Sequence, residues 1–281
     1  MSDLFDFNAQ KDIYGVMGNP ITHSKSPSIH ALFARQTSQQ LEYSAIHVDT
    51  GGFRQAVGNF QAAGGKGLNV TVPFKQQAFD ITDDYSERAK RAGAVNTLKF
   101  EGKKIFGDNT DGLGLVNDLQ NNLNIKIQDK NILLMGAGGA SRGVINPLLV
   151  EKPNSLFIVN RTVDKAQNLA EIFSDFDNIS AGSYNALENK LFDIIINATS
   201  ASLQGVSIPL PNNILAPGAI CYDMMYSKDP TLFMNWAIKN NTTIVSDGLG
   251  MLVEQAAESF LIWRGVRPDS KSVISKLRQE L

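Results

Sequence analysis

The stretch NILLMGAGGASRGVINPLLVEKPNSLFIVNRT, Asn131 to Thr162, decides the fold. Ile132 to Met135 is a short apolar run that stops at Gly136, which suits a strand buried on both faces. Gly136, Gly138 and Gly139 follow closely. Glycine there permits positive φ, a tight turn and close approach of backbone to a ligand. A helix starting after them would offer unpaired N–H groups and positive potential to a phosphate. A second apolar run, Leu156 to Val159, completes a β-α-β unit of about 30 residues. The stretch reads as the first half of a dinucleotide-binding fold. Pro147 interrupts the pattern: it removes an N–H and clashes one turn back, so a kink or a helix end near Gly143 is expected.

The end of the second strand carries the next decision. An NAD-preferring site usually has Asp or Glu about 20 residues on, to hold the ribose 2′-hydroxyl. This chain has Asn160, Arg161 and Thr162, with Lys165 one helical turn further. A guanidinium, an ammonium and two small hydrogen-bonding side chains suit a 2′-phosphate, which a carboxylate would repel. NADP rather than NAD is expected. The plainer alternative is a buried layer whose glycines only ease helix–strand packing and whose Arg161 is merely solvated. The Asn-Arg-Thr ending weighs against it.

At 281 residues the chain is long for a single core and comfortable for two domains. A formal net charge of −2 indicates no general attraction to nucleic acid or membrane, and no apolar run reaches bilayer length. The start, MSDLFDFNAQKD, is polar and acidic, unlike a signal or transit peptide. Cys221 is the one cysteine, which excludes disulfide scaffolds and cysteine zinc sites. A cytoplasmic location is expected. His23, His30 and His47 are too scattered for a His-rich metal site, and no metal is expected.

Taken in order, Ile13 to Met17 reads as a strand running into the turn Gly18-Asn19-Pro20. Ser26 then suits a helix N-cap with Pro27 at the first helical position. That leaves Ser24 and the density of hydroxyls unexplained; paired hydroxyls on such a loop suit a ligand's carboxylate or hydroxyl. Tyr43 to Val48 reads as a strand and Phe53 to Ala63 as a helix. Gly67 to Lys75 reads as a strand ended by Pro73, with Asn69, Thr71, Pro73 and Lys75 on one side by the period of two. Ala92 to Phe106 reads as a hairpin turning at Glu101-Gly102. Gly107 to Gly112 is dense in oxygen ligands but lacks the spacing and terminal Glu of a calcium loop. Asp111 stands in an N-cap-like place before the helical run Leu113 to Leu119, where acidic residues also stabilise helix starts without catalytic duty.

Beyond the opening stretch, Asp193 to Asn197 is another buried strand, and Asn197 to Ser200 form a natural wall for a nicotinamide. Strands at Ala219 to Tyr222 and Thr243 to Val245 lead to Asp223-Met224-Met225-Tyr226 and Asp247-Gly248-Leu249-Gly250. From Met251 the chain reads as helix, with Gln255 beside the apolar stripe of Leu252, Ala256, Phe260 and Trp263. A short polar helix, Ser272 to Leu281, closes it.

These pieces together resemble the AroE-type shikimate dehydrogenase family over essentially the full length. The resemblance rests on GNPITHSKSP (18–27), NVTVPFK (69–75), GAVNTL (93–98), GDNTDG (107–112), GAGGASRG (136–143), NRT (160–162), NATS (197–200), DMMY (223–226) and DGLGMLVEQA (247–256). It implies an α/β fold of two domains: an N-terminal α/β substrate domain and a Rossmann-type doubly wound NADP-binding domain, with the active site in the cleft between them. The expected extents are 1–111 plus 250–281 and 112–249. It implies NADPH-dependent reduction of 3-dehydroshikimate to shikimate, a step of aromatic amino-acid biosynthesis. Ser24 and Ser26 would hold the substrate carboxylate, with Asn69, Thr71, Asn96, Tyr226 and Gln255 around the ring and its hydroxyls. Lys75 and Asp111 match the catalytic pair at the reacting oxygen. Gly136, Ala137, Gly138, Gly139 and Ala140, then Asn160, Arg161, Thr162 and Lys165, then Thr199, Met224 and Gly248 match the cofactor positions. Family members often carry arginine where this chain has Lys165, so the NADP preference is expected to persist but be less steep.

Hydride delivery to a ketone builds negative charge on oxygen, which a nearby cation or proton donor relieves; Lys75 can serve as both. The expected partners are a small-molecule substrate and no nucleic acid or membrane, with monomer and homodimer both open. Two rivals stand beside this reading. One is a dual quinate/shikimate dehydrogenase, disfavoured by Arg161-Thr162. The other is a non-catalytic NADPH-binding regulator, disfavoured by Lys75 together with Asp111. A folate-type dehydrogenase is more distant, because the serine loop does not favour it.

Overall fold

The computed structural model describes residues 11–199 and 209–281. They form two compact units: the described chain up to Thr110 with Ala256–Val273, and Asp111–Gln255 with Ile274–Leu281. Residues 250–281 are therefore shared between the two units.

The first unit holds β1 (Asp12–Gly18), α1 (Ser26–Gln36), β2 (Leu41–His47), α2 (Phe53–Ala62), β3 (Gly65–Val70), α3 (Lys75–Asp80), β4 (Asp84–Tyr85), α4 (Glu87–Ala92), β5 (Thr97–Glu101) and β6 (Lys104–Asp108). Its sheet runs β2-β1-β3-β5-β6-β4, parallel around β1 and antiparallel from β3 through β6. One core, with Met17, Val57, Leu68, Val70 and Leu98, centres on Phe53 stacked on Phe74 at 4.9 Å. Gly93 takes the left-handed φ of +56° that closes α4, after Ser86 accepts the N–H of Ala89 at its start.

Three local expectations are corrected here. Ser26 is not the N-cap: Lys25 is, Ser26 is already helical, and it is the Ser24 hydroxyl that accepts the Ser26 N–H at 3.3 Å. The strand expected at 67–75 leaves the sheet after Val70. Thr71 N still donates to Met17 O at 2.9 Å, Phe74 N turns back to Thr71 O at 3.0 Å, and Lys75 opens α3. The hairpin loop is Gly102-Lys103, with Glu101 paired to Lys104, one residue later than read from the sequence.

The second unit opens with α5 (Asp111–Asn117) and continues through β7 (Asn131–Met135), α6 (Gly139–Val150), β8 (Ser155–Val159), α7 (Val163–Glu171), β9 (Ile179–Gly182), β10 (Phe192–Asn197), β11 (Leu215–Asp223), α8 (Leu232–Lys239), β12 (Ile244–Ser246), α9 (Leu249–Arg264) and α10 (Ser270–Gln279). The last two helices divide between the units as above. Every pairing in the sheet β12-β11-β10-β7-β8-β9 is parallel. That is the doubly wound order, with its reversal between β7 and β10. Ile132, Leu133, Leu134, Ile194, Ile195 and Ile196 are wholly buried, as strands covered on both faces must be.

The expected break at Pro147 does not occur, since α6 runs to Val150 with Pro147 inside it. Proline has no N–H to give Gly143 O. That carbonyl faces the backbone of Gly112 in α5, so closely that a Cβ at Gly112 would overlap it and lie 2.5 Å from Pro147 Cγ. No helix of the described residues is long and apolar enough to cross a membrane.

Candidate active site

In the first unit two of the expected substrate residues, Asn69 and Asn96, meet in one buried polar knot. Asn69, near the end of β3, donates from Nδ2 to Ser259 Oγ at 2.9 Å, Thr97 Oγ1 at 3.2 Å and Asn96 O at 3.3 Å. Its Oδ1 accepts from Tyr43 Oη at 2.7 Å. Asn96 accepts from Thr110 N at 2.9 Å and from Thr97 Oγ1 at 2.8 Å, and donates to Thr110 Oγ1 at 3.0 Å. Ser26 is buried beside the half-buried Ser24, and Thr71 and Lys75 are half-buried on the turn after β3. Lys75 O accepts Val95 N at 2.9 Å, which ties the start of α3 to the chain entering β5.

The oxygens of 108–110, suggestive of a calcium loop, are spent inside the protein. Asp108 pairs with Arg88 at 2.5 Å and accepts the Ser86 hydroxyl, Asn109 Nδ2 donates to Ala94 O, and Thr110 bonds Asn96.

In the second unit Asp111 is the first residue of α5 and largely buried. Gln255 lies on α9, where its Nε2 donates to Leu252 O at 2.7 Å, and α5 packs so near that a Cβ at Gly114 would stand 2.7 Å from Gln255 Cβ. Tyr226 is half-buried, and burial pushes its phenol up.

The glycine turn sits at the carboxyl end of β7. Gly136 has φ +105° and donates to Val159 O at 2.7 Å; α6 begins at Gly139 behind Gly138. A Cβ at Gly138 or Gly139 would meet nothing within 4 Å, and both residues are exposed with Ala140. The helix start is therefore uncrowded on its outer side, while Ala137 is half-buried behind it. At the end of β8, Asn160 Nδ2 donates to Thr162 O at 2.8 Å, which fixes a turn carrying exposed Arg161 and Thr162, with exposed Lys165 beyond. No carboxylate stands in the Asn160–Thr162 turn.

Thr199, Met224 and Gly248 follow the ends of β10, β11 and β12, three neighbouring parallel strands. Thr199 donates from N and Oγ1 to Asn197 Oδ1, Met224 N donates to Asn197 O, and Gly248 N donates to Met225 O. Asn197 itself is wholly buried and donates to Asp223 Oδ1 at 3.1 Å, so it braces this wall rather than facing a ligand. Burial raises the Asp223 carboxyl, against hydrogen bonds from Thr231, Met225 N and Asn197. Ser200 of the NATS motif lies outside the described residues.

Two further residues join these groups without a local sequence signal. Nothing near Tyr43 in the chain shows that its hydroxyl reaches Asn69. Tyr184 follows the short β9, which no apolar run marks; burial raises its phenol and the charge of Arg161 opposes this, so the two lie within electrostatic reach.

Comparison with known proteins bears on the whole chain. Residues 16–98 match the family described as shikimate dehydrogenase substrate binding domain, 118–207 match shikimate/quinate 5-dehydrogenase, and 248–278 match the shikimate 5′-dehydrogenase C-terminal domain. A shikimate dehydrogenase (NADP(+)) of Dechloromonas aromatica is 56% identical over 96% of this chain and 98% of its own. The chain belongs to the shikimate dehydrogenase family. Among solved structures, an Ael1 enzyme from Pseudomonas putida is 46% identical with a TM-score of 0.92, covering 95% of this chain and 98% of its own. A Thermus thermophilus shikimate 5-dehydrogenase, solved with NADP(H) and shikimate, is 29% identical with a TM-score of 0.86, covering 96% and 100%. Membership of the shikimate dehydrogenase family accounts for the two α/β units and for the all-parallel sheet of the second.

Proposed function

We propose that this protein is an NADP-dependent shikimate dehydrogenase, an oxidoreductase that reduces 3-dehydroshikimate to shikimate in aromatic amino-acid biosynthesis. The observation that carries the reading is the end-to-end likeness to a shikimate dehydrogenase (NADP(+)), 56% identical over 96% of the chain.

The residues present fit the cofactor. The exposed, uncrowded helix start at Gly138, Gly139 and Ala140, after a positive-φ Gly136, suits a pyrophosphate. Exposed Arg161, Thr162 and Lys165, with Asn160 holding their turn, suit a 2′-phosphate. NADPH, when bound, supplies a hydride to the carbonyl carbon. Thr199, Met224 and Gly248 would shape the wall at the nicotinamide end.

The chain's own part is to hold the substrate and manage the oxygen. Ser24 and Ser26 would bind the carboxylate, and Asn69, Thr71, Asn96, Tyr226 and Gln255 would surround the ring and its hydroxyls. Lys75 would donate a proton to the oxygen as its negative charge grows, and Asp111 would orient the ammonium and share that proton. Fixing both ends of a small substrate converts encounter into a near-unimolecular step.

The test is an assay at the absorbance of reduced nicotinamide, with shikimate or quinate, each with NADP or NAD. Turnover confined to shikimate with NADP is expected. Quinate turnover, or equal use of NAD, would place the protein with dual-specificity enzymes, a reading that the carboxylate-free turn Asn160–Thr162 does not favour. Lys75→Ala should lower kcat on the order of 10²–10⁴-fold while NADPH still binds. Unchanged turnover would remove Lys75 from the mechanism.

A further inference from the structure

Tyr43 lies on β2, the edge strand of the first sheet, and no expectation placed it in the site. Its hydroxyl hydrogen goes to Asn69 Oδ1 at 2.7 Å, the only direction open, because an amide oxygen cannot donate. The other end of the amide is equally determined. Asn69 Nδ2 has two hydrogens and faces three oxygens, those of Ser259, Thr97 and the Asn96 carbonyl. A backbone carbonyl only accepts, so the nitrogen must lie on that side. The amide is locked in one of its two orientations by groups from β2, β5 and α9.

The ring of Tyr43 is fixed as well. It stacks on His30 of α1 at 4.2 Å between centroids and 10° between planes, with Trp263 tilted against it at 6.3 Å. Burial holds the phenol well above its usual range, and the one opposing influence comes from the Ser26 hydroxyl. Tyr43 thus stands between Ser26 and Asn69, assigned above to the substrate's carboxylate and to its ring hydroxyls.

We propose that Tyr43 is a positioning residue for the substrate: its hydroxyl fixes the Asn69 amide so that this wall offers acceptor atoms only, and so selects a ligand hydroxyl. With its hydrogens engaged inside the protein, Asn69 retains only a lone pair on Oδ1 for a ligand, and the Tyr43 oxygen adds another acceptor. A carboxylate or carbonyl would find no donor from either; a ring hydroxyl would donate to them. The proposal rests on the shikimate dehydrogenase reading for the identity of the substrate, not for the state of the amide.

Tyr43→Phe keeps the ring and removes the hydroxyl. We expect KM for shikimate to rise about tenfold, as loss of one hydrogen bond of positioning implies, with KM for NADP within twofold of the parent. A lowered Tm with both KM values unchanged would mean that Tyr43 only supports the fold, and would overturn the proposal. A second measurement needs neither turnover nor the variant. The Asn69 side-chain amide signals of the intact protein, assigned by their loss in Asn69→Asp, should be two separate resonances protected from hydrogen exchange. Free exchange there would overturn the proposal even if the Tyr43→Phe protein did not fold. Absence of shikimate turnover by the parent would instead count against the functional reading, and the amide signals would still test whether the Asn69 hydrogens are engaged inside the protein, on which the proposal depends.

Discussion

His30 is wholly buried among Phe33, Tyr43, Phe260 and Trp263, with the Asn69 side chain the one polar group that opposes the effect of burial on its ring. Burial pushes its pKa from 6.5 down to about 3. The unfolded chain therefore takes up this proton first as pH falls. The stability tied to neutral His30 is whole above about 6.5 and drains away toward pH 3. Between pH 7 and pH 4 the loss is roughly 3 kcal/mol. Urea unfolding of His30→Phe at the two pH values should show a fall smaller by about that amount. An equal fall in parent and variant would assign the acid sensitivity elsewhere. The sequence showed this residue only as one of three scattered histidines, because a histidine's neighbours within an aromatic cluster come from α1, β2 and α9. The place of Arg161 in an exposed turn at the end of β8, by contrast, is legible, because an apolar run that stops at a polar turn is a local fact.

Among the elements, α5 shows how packing overrules propensity. Its sequence, DGLGLVN, puts two glycines in seven residues, each costing about 1 kcal/mol against alanine in a helix. Both lie where another helix comes close: Gly112 against Gly143 and Pro147 of α6, Gly114 against Met251 and Gln255 of α9. Gly112→Ala should therefore destabilise the protein by about 1–3 kcal/mol through overpacking. Gly58→Ala, in α2 with nothing within 4 Å of the added carbon, should stabilise it by roughly 0.5–1 kcal/mol. Denaturant titration of the two variants checks the pair, and the same sign in both would refute the packing argument. The same close approach bears on why the helix does not end before Pro147. A rule for an isolated helix counts the lost hydrogen bond, but it cannot see that α5 packs against the Gly143 carbonyl. The strand read through Lys75 failed for a related reason. Alternation is a property of residues in a strand, and only the pairing partners show that β3 stops at Val70.

At the scale of the whole molecule, ligand binding should register as stability. A ligand that binds only the folded state stabilises it by about 2.7 kcal/mol at a hundred times its Kd. NADP should then raise Tm clearly more than NAD at equal concentration. Arg161→Ala should remove most of that difference by weakening NADP alone. Equal shifts by both nucleotides in the parent would mean that the turn after β8 does not read the 2′-phosphate.

What the sequence determined by itself is what short segments encode. Buried strands are apolar runs, the turn after β7 needs Gly136 for its positive φ, and the composition of the turn after β8 is set by three consecutive residues. The ordered motifs then placed the family. The tertiary structure alone decided which polar groups are spent and which are offered. It gave the Ser24 hydroxyl to a helix start, drew Asn96, Asn109 and Thr110 into internal bonds, neutralised His30 and oriented Asn69. The physical reason is that burial and hydrogen-bond satisfaction are nonlocal. The amide of Asn69 is held by a serine 190 residues further along the chain, and no window of sequence spans that distance.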